Sequence, residues 1–185
     1  MIRDMTRGNI TRHLVGFSVP IILGNLFQLA YNAVDSIVVG RFAGTGALAA
    51  VGTANPVMNI IILGVSGLCI GASVLMSEYF GARDTEKLRR EFAATLFLGL
   101  FFSAAVLALG LPLAGPLLRL LNVPDEIFPQ ARAYLCIIFL GMPFTFVYNA
   151  YAAAMRSVGD SRTPLLFLAI ACGLNIVLDL FLVVV

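Results

Sequence analysis

An all-α, polytopic membrane helix bundle is the fold class this sequence predicts, and three observations predict it. Of the 185 residues, 60% are hydrophobic and only 12% charged, against about 45–50% and about 25% in a soluble domain. The mean hydropathy is +0.97, more apolar surface than a globule of this size can hide from water. Finally, the apolar residues gather into five long stretches, at about 14–39, 47–80, 92–121, 134–155 and 165–185. Each has at least the roughly 20 residues that a transmembrane helix needs, and the longer ones predict tilt or extension beyond the bilayer.

The first stretch, opening at Leu14, is far longer than the 7–15 apolar residues of a signal peptide. Gly44 and Gly46 predict the turn after it. Gly81 marks the second turn and Asn122-Val123-Pro124 the third. Thr163-Pro164 reads as a helix cap followed by Pro at the first helical position of the fifth stretch. Within the second stretch, Gly67-x-x-x-Gly71 predicts close packing of two helices. Pro20, Asn55-Pro56 and Pro143 stand inside apolar stretches, where a missing backbone N–H permits bending.

Charge sets the expected orientation. The amino end and the second and fourth connections hold Arg3, Arg7, Arg12, Arg83, Lys87, Arg89, Arg90, Arg156 and Arg162, nine in all. The first and third connections hold only Arg41, Arg119 and Arg132. The excess of basic residues on cytoplasmic loops predicts a cytoplasmic amino terminus in a multi-pass protein of the cell membrane. A net charge of +2 leaves no electrostatic footprint for nucleic acid. Cys69, Cys136 and Cys172 lie far apart in apolar runs, and with one histidine they offer no metal spacing. The chain stops at Leu180-Phe-Leu-Val-Val-Val185 with no polar flank, so the expectation is that a further helix follows.

Polar residues inside the bilayer carry the functional signal. An Asp at the centre of a spanning helix costs roughly 2.5–3.5 kcal/mol on insertion scales, and this chain has two, Asp35 and Asp179. Asn25, Gln28, Asn32 and Asp35 recur at steps of three, four and three, which aligns them on one helix face. Tyr31 precedes Asp35 by one turn, and Asn175 precedes Asp179 by one turn. Such a stripe faces protein or water rather than lipid. The competing reading sets both acids at the outer interface, with Arg41 beside Asp35. Enclosed together, two carboxyl groups can take up and release protons, because desolvation disfavours the ionised form. Ionised and joined by the Asn175 amide oxygen, they offer an oxygen cage for a small cation such as sodium. Either chemistry couples charge to conformation, as an ion-driven transporter requires. Intramembrane aspartyl proteolysis also needs two aspartates, but Asp179 lacks the Gly-x-Gly-Asp setting of that enzyme type, being preceded by Val177 and Leu178. No enzymatic activity is expected.

These residues stand in segments that resemble the multidrug and toxic compound extrusion family. The series is Leu26-Phe-Gln-Leu-Ala-Tyr-Asn-Ala-Val-Asp35-Ser-Ile-Val-Val-Gly40-Arg41-Phe, Gly46-Ala-Leu-Ala-Ala-Val-Gly52, Ser77-Glu-Tyr-Phe-Gly-Ala-Arg83, Gly141-Met-Pro-Phe-Thr-Phe-Val-Tyr-Asn149, Arg156-Ser-Val-Gly-Asp-Ser-Arg-Thr-Pro164 and Leu174-Asn-Ile-Val-Leu-Asp179. The similarity is greatest to the bacterial, damage-inducible type. It implies the first lobe of a two-lobe, twelve-helix transporter, without the lobe's sixth helix or the carboxyl-terminal lobe. It also implies coupling of protons or sodium at Asp35, Asn175, Asp179 and Asn149, with Tyr31 against Asp35, and a bending point at Pro20. No cofactor is implied beyond the coupling ion.

The expected activity is export of amphipathic or cationic organic compounds, such as drugs and toxins, by alternating access. The substrate cavity is then expected to draw Phe27, Gln28 and Asn32 from the first helix and Met58 and Ile62 from the second. Flipping of lipid-linked oligosaccharides, performed by relatives in the same superfamily, is the alternative. It predicts cationic residues in the lobe interior, where this sequence has none.

Overall fold

The computed structural model describes residues 10–179 and 181, and these are helical apart from short turns. Five α-helices follow in order: α1 (Ile10–Val38), α2 (Gly44–Gly81), α3 (Thr85–Leu120), α4 (Phe128–Ser157) and α5 (Arg162–Asp179). A π-helical turn, Val39–Ala43, joins α1 to α2. Arg3 and Arg7 of the basic amino end, and residues 180 and 182–185 of the predicted fifth span, lie outside the described residues. The other helices overrun their apolar stretches mainly at the amino end. A polar first turn, such as Thr85-Glu-Lys-Leu-Arg-Arg-Glu91 on α3, continues the helix into the interface.

Four helical stretches are long and apolar enough to cross a membrane, and the first extends from His13 to Gly81. Those 69 residues would make a rod of roughly 100 Å, against about 30 Å of hydrocarbon. The break within it is Gly44, at φ 90° and ψ 170°, a region essentially reserved for glycine. The chain doubles back closely enough there that a Cβ on Gly40 would stand 3.1 Å from Leu48.

The helices divide into two groups. α2, α3 and α4 pack against one another, and α1 packs against α5. α1 and α2 make almost no contact beyond the turn that joins them, and α5 touches α4 only lightly. In the trio, Phe139 and Phe146 of α4 are the largest wholly buried side chains, and glycines of α3 seat them. A Cβ on Gly99 would fall inside the Phe146 ring, and one on Gly110 would fall 2.9 Å from the Phe139 ring. Ala50, Ala54, Ala114, Leu118, Ala131 and Leu135 close the core around Phe139, and Val65, Cys69, Ala150 and Ala153 close it around Phe146. Lipid is as apolar as leucine, so such helices associate through close packing rather than through hydrophobic burial.

The turns correct several expectations. Gly67 and Gly71 are exposed on α2 with nothing within 4 Å of either Cβ position. They line an open groove of about 320 Å³ with Thr95, Leu98 and Gly99 of α3, so their spacing permits close approach at a place where none occurs. In the second turn the left-handed residue is Arg83, at φ 57°, rather than Gly81; the Asp84 carboxylate then caps α3 by accepting the Lys87 N–H at 3.0 Å. α5 begins at Arg162, ahead of Thr163-Pro164. Its cap is Asp160: Oδ1 accepts the N–H groups of Arg162 and Thr163, each at 3.1 Å, and Oδ2 accepts the Thr163 hydroxyl at 2.7 Å. Pro164 falls in the first turn, where its missing N–H leaves no bond unmade.

Candidate functional site

The α1–α5 pair carries the intramembrane acids. α1 runs without interruption through Pro20, which is buried, and one turn later Gly24 packs on Leu165 and Leu168 of α5. That close approach fixes the register in which the two helices continue toward Asp35 and Asp179. Both carboxyl groups are half-buried and lie within electrostatic reach of each other. Tyr31, one turn before Asp35, lies within reach of both. No ion pair joins Asp35 to Arg41 among the described residues, so Asp35 has no cation to neutralise it there.

Two oxygens in this cluster are orphaned. Among the described residues, Oδ1 of Asn175 and Oδ2 of Asp179 are shielded from solvent and accept no hydrogen bond. They sit one turn apart on α5, on the side that meets α1. A shielded acceptor without a donor costs about 1–3 kcal/mol, more when it is charged. The donors are hard oxygens, the type that suits a proton or a small cation such as sodium. No group of three or more His, Cys, Asp or Glu residues is gathered for a metal ion among the described residues.

The structure adds two residues that sequence reasoning missed. Tyr134, near the start of α4, lies within electrostatic reach of Asp35 and Tyr31, and Cys172 of α5 within reach of Tyr31. Tyr134 is where the trio meets the acidic cluster. Asn149 lies elsewhere: it is fifteen residues further along α4 than Tyr134, roughly 22 Å along the axis. Its amide donates to the Thr145 carbonyl of its own helix at 2.8 Å. The geometry therefore gathers Asp35, Tyr31, Asn175 and Asp179 but not Asn149.

The residues expected at the substrate cavity divide between the two helix groups. On α1, Phe27 is 45% exposed and Gln28 and Asn32 are exposed, while Met58 and Ile62 on α2 are half-buried. Because α1 and α2 diverge from their turn, the polar stripe of α1 is left uncovered by α2.

Comparison with known proteins bears on all of this. A family model described as MatE matches residues 20–181. The chain is 36% identical over 175 residues to the probable multidrug resistance protein YpnP of Bacillus subtilis, covering 95% of this chain and 39% of that protein. Among solved structures, it is similar to the MATE multidrug transporter DinF-BH in complex with a dye, at a TM-score of 0.89 and 29% identity, covering 97% of this chain and 40% of that one. It is also similar to a MATE protein in the bent conformation, at a TM-score of 0.86 and 31% identity, covering 94% and 38%. The chain thus spans about two fifths of the length of these relatives. The match to the family model, the sequence of a curated relative and the folds of two solved structures agree along nearly the whole chain, which belongs to the MatE family.

Proposed function

We propose that the protein containing this chain exports amphipathic and cationic organic compounds by alternating access, in exchange for protons or sodium ions moving inward at Asp35, Asp179 and Asn175. The observation that carries this reading is that two intramembrane carboxyl groups from different helices stand within electrostatic reach of each other, one of them with a shielded oxygen that lacks a donor, as does the Asn175 amide oxygen one turn away. A proton or a small cation at those oxygens would satisfy them and relieve the repulsion between the carboxylates. Its departure would restore the repulsion and favour separation of α1 from α5. That exchange links ion occupancy to the relative position of two helices, the differential interaction that a conformational switch requires. Gln28, Asn32 and Phe27 would meet the substrate from the uncovered side of α1. Pro20 would supply the bend, since it removes one backbone hydrogen bond from that helix. The excess of basic residues supports a cytoplasmic amino end.

The test is dye or drug uptake into vesicles holding the full-length protein, under separately imposed pH and sodium gradients. Uptake driven by one gradient, and lost in Asp35→Asn, is the expected result. Undiminished gradient-driven uptake by Asp35→Asn would overturn the reading.

A further inference from the structure

At the α3–α4 turn, remote along the helices from the Phe146 core, two arginines line one pocket. It measures about 350 Å³ and is lined by Pro112, Gly115, Pro116 and Arg119 of α3 and by Phe128 and Arg132 of α4. The spacings make it a trough. Residues 112, 115, 116 and 119 follow at three, one and three, a single face of α3, and Phe128 and Arg132 are one turn apart on α4. Arg119 lies one residue from the end of α3 and Arg132 within the second turn of α4, so both guanidinium groups stand at the depth of the membrane interface. Pro112 lies roughly 10 Å deeper along the α3 axis.

We propose that this trough binds one phospholipid, its phosphate held between Arg119 and Arg132 and an acyl chain lying along Pro112, Gly115 and Pro116. Arginine is the side chain best suited to a phosphate, through paired N–H groups. Both arginines are exposed, and neither forms an ion pair with a carboxylate among the described residues, although Asp125 and Glu126 occupy the adjoining turn. The Arg119 guanidinium lies over the Phe128 ring, 5.9 Å from its centroid, which holds it at the mouth of the trough. Below it, nothing stands within 4 Å of a Cβ on Gly115, so the apolar floor is open where a chain would pass. Two cations facing one phosphate favour a headgroup with no positive charge of its own, such as phosphatidylglycerol, over phosphatidylcholine.

The test is native mass spectrometry of the detergent-purified full-length protein, titrated in turn with phosphatidylglycerol, phosphatidylcholine and inorganic phosphate. The expected result is preferential retention of phosphatidylglycerol, reduced on the order of tenfold in the double variant R119Q/R132Q. Gly115→Leu, which fills the floor and leaves both arginines in place, is expected to weaken lipid retention as well, and inorganic phosphate is expected not to bind at comparable concentration. Arg119 and Arg132 are exposed and the Cβ position of Gly115 meets open space, so an unchanged unfolding midpoint checks that the variants fold. Equal retention of phosphatidylglycerol by the wild type and R119Q/R132Q would overturn the proposal. Binding of inorganic phosphate as tight as that of lipid, with no effect of Gly115→Leu, would overturn it in favour of a simple anion site.

Discussion

The α2–α3–α4 trio and the α1–α5 pair are built from similarly apolar helices yet held together differently. In the trio each helix contributes at least five buried residues, and Phe139 and Phe146 seat directly on glycine backbone. Along α1 and α5 only Pro20, Gly24, Val38 and Pro164 are buried among the described residues. The pair nonetheless carries both intramembrane carboxyl groups and the orphaned oxygens of Asn175 and Asp179. Packing is dense within the trio and sparse along the pair that holds the two acids. The proposed ion exchange would draw on that division, because elements that move are drawn from the less stable parts of a structure.

The largest predicted effect breaks the frame. Gly99→Ala puts a methyl group inside the Phe146 ring, so it is expected to cost about 3 kcal/mol or more and to lower the unfolding midpoint sharply. Gly110→Ala, whose Cβ meets the Phe139 ring at 2.9 Å, is expected to cost about 1–2 kcal/mol. Thermal unfolding of the purified variants checks both. A Gly99→Ala variant as stable as wild type would mean that Phe146 has another seat.

A smaller effect is expected where the pair joins the trio. Partial burial works against ionisation of Asp160, but its carboxyl is held at about 2 by hydrogen bonds, among them those from the Thr163 hydroxyl and from the Thr163 and Arg162 backbone. A carboxyl whose folded value is depressed contributes its full stability above its ordinary value of 3.8, and loses it as the pH falls from there through about 2. Because the site is only partly shielded, Asp160→Asn is expected to cost about 1 kcal/mol at neutral pH. Its penalty should vanish below about pH 2, which unfolding followed against pH would read. A penalty independent of pH would assign the effect to shape rather than to charge.

The smallest effect is expected at Gly67. With nothing within 4 Å of its Cβ position, Gly67→Ala should change stability by less than about 0.5 kcal/mol. A large loss would show that the α2–α3 groove is filled in the membrane.

What was legible in the sequence follows the same division. The helices were readable because bilayer thickness dictates their apolar length, and Asp35, Tyr31, Asn175 and Asp179 because a polar residue in an apolar stretch stands out and helical spacing aligns it. Tyr134 gave no such signal: half-apolar and near a helix start, it looks like any interfacial tyrosine until the fold brings it within electrostatic reach of Asp35. Gly99 and Gly110 look no different in sequence from Gly67 and Gly71, since spacing says where a helix could be approached and not which face a phenylalanine fills. The cap of α5 was misplaced by three residues because Asp160, Thr163 and Pro164 all carry helix-start signals. Only the hydrogen bonds of the folded turn choose among them.

The central claim is that Asp35 and Asp179 act as one ion site, and a double-mutant cycle on gradient-driven export by the full-length protein in vesicles tests it most directly. The account predicts that Asp35→Asn and Asp179→Asn each abolish gradient-driven export without lowering the unfolding midpoint, and that the double variant is no worse than either alone, as expected for groups that work as a unit. Independent, additive losses, or substantial export by either single variant, would contradict it.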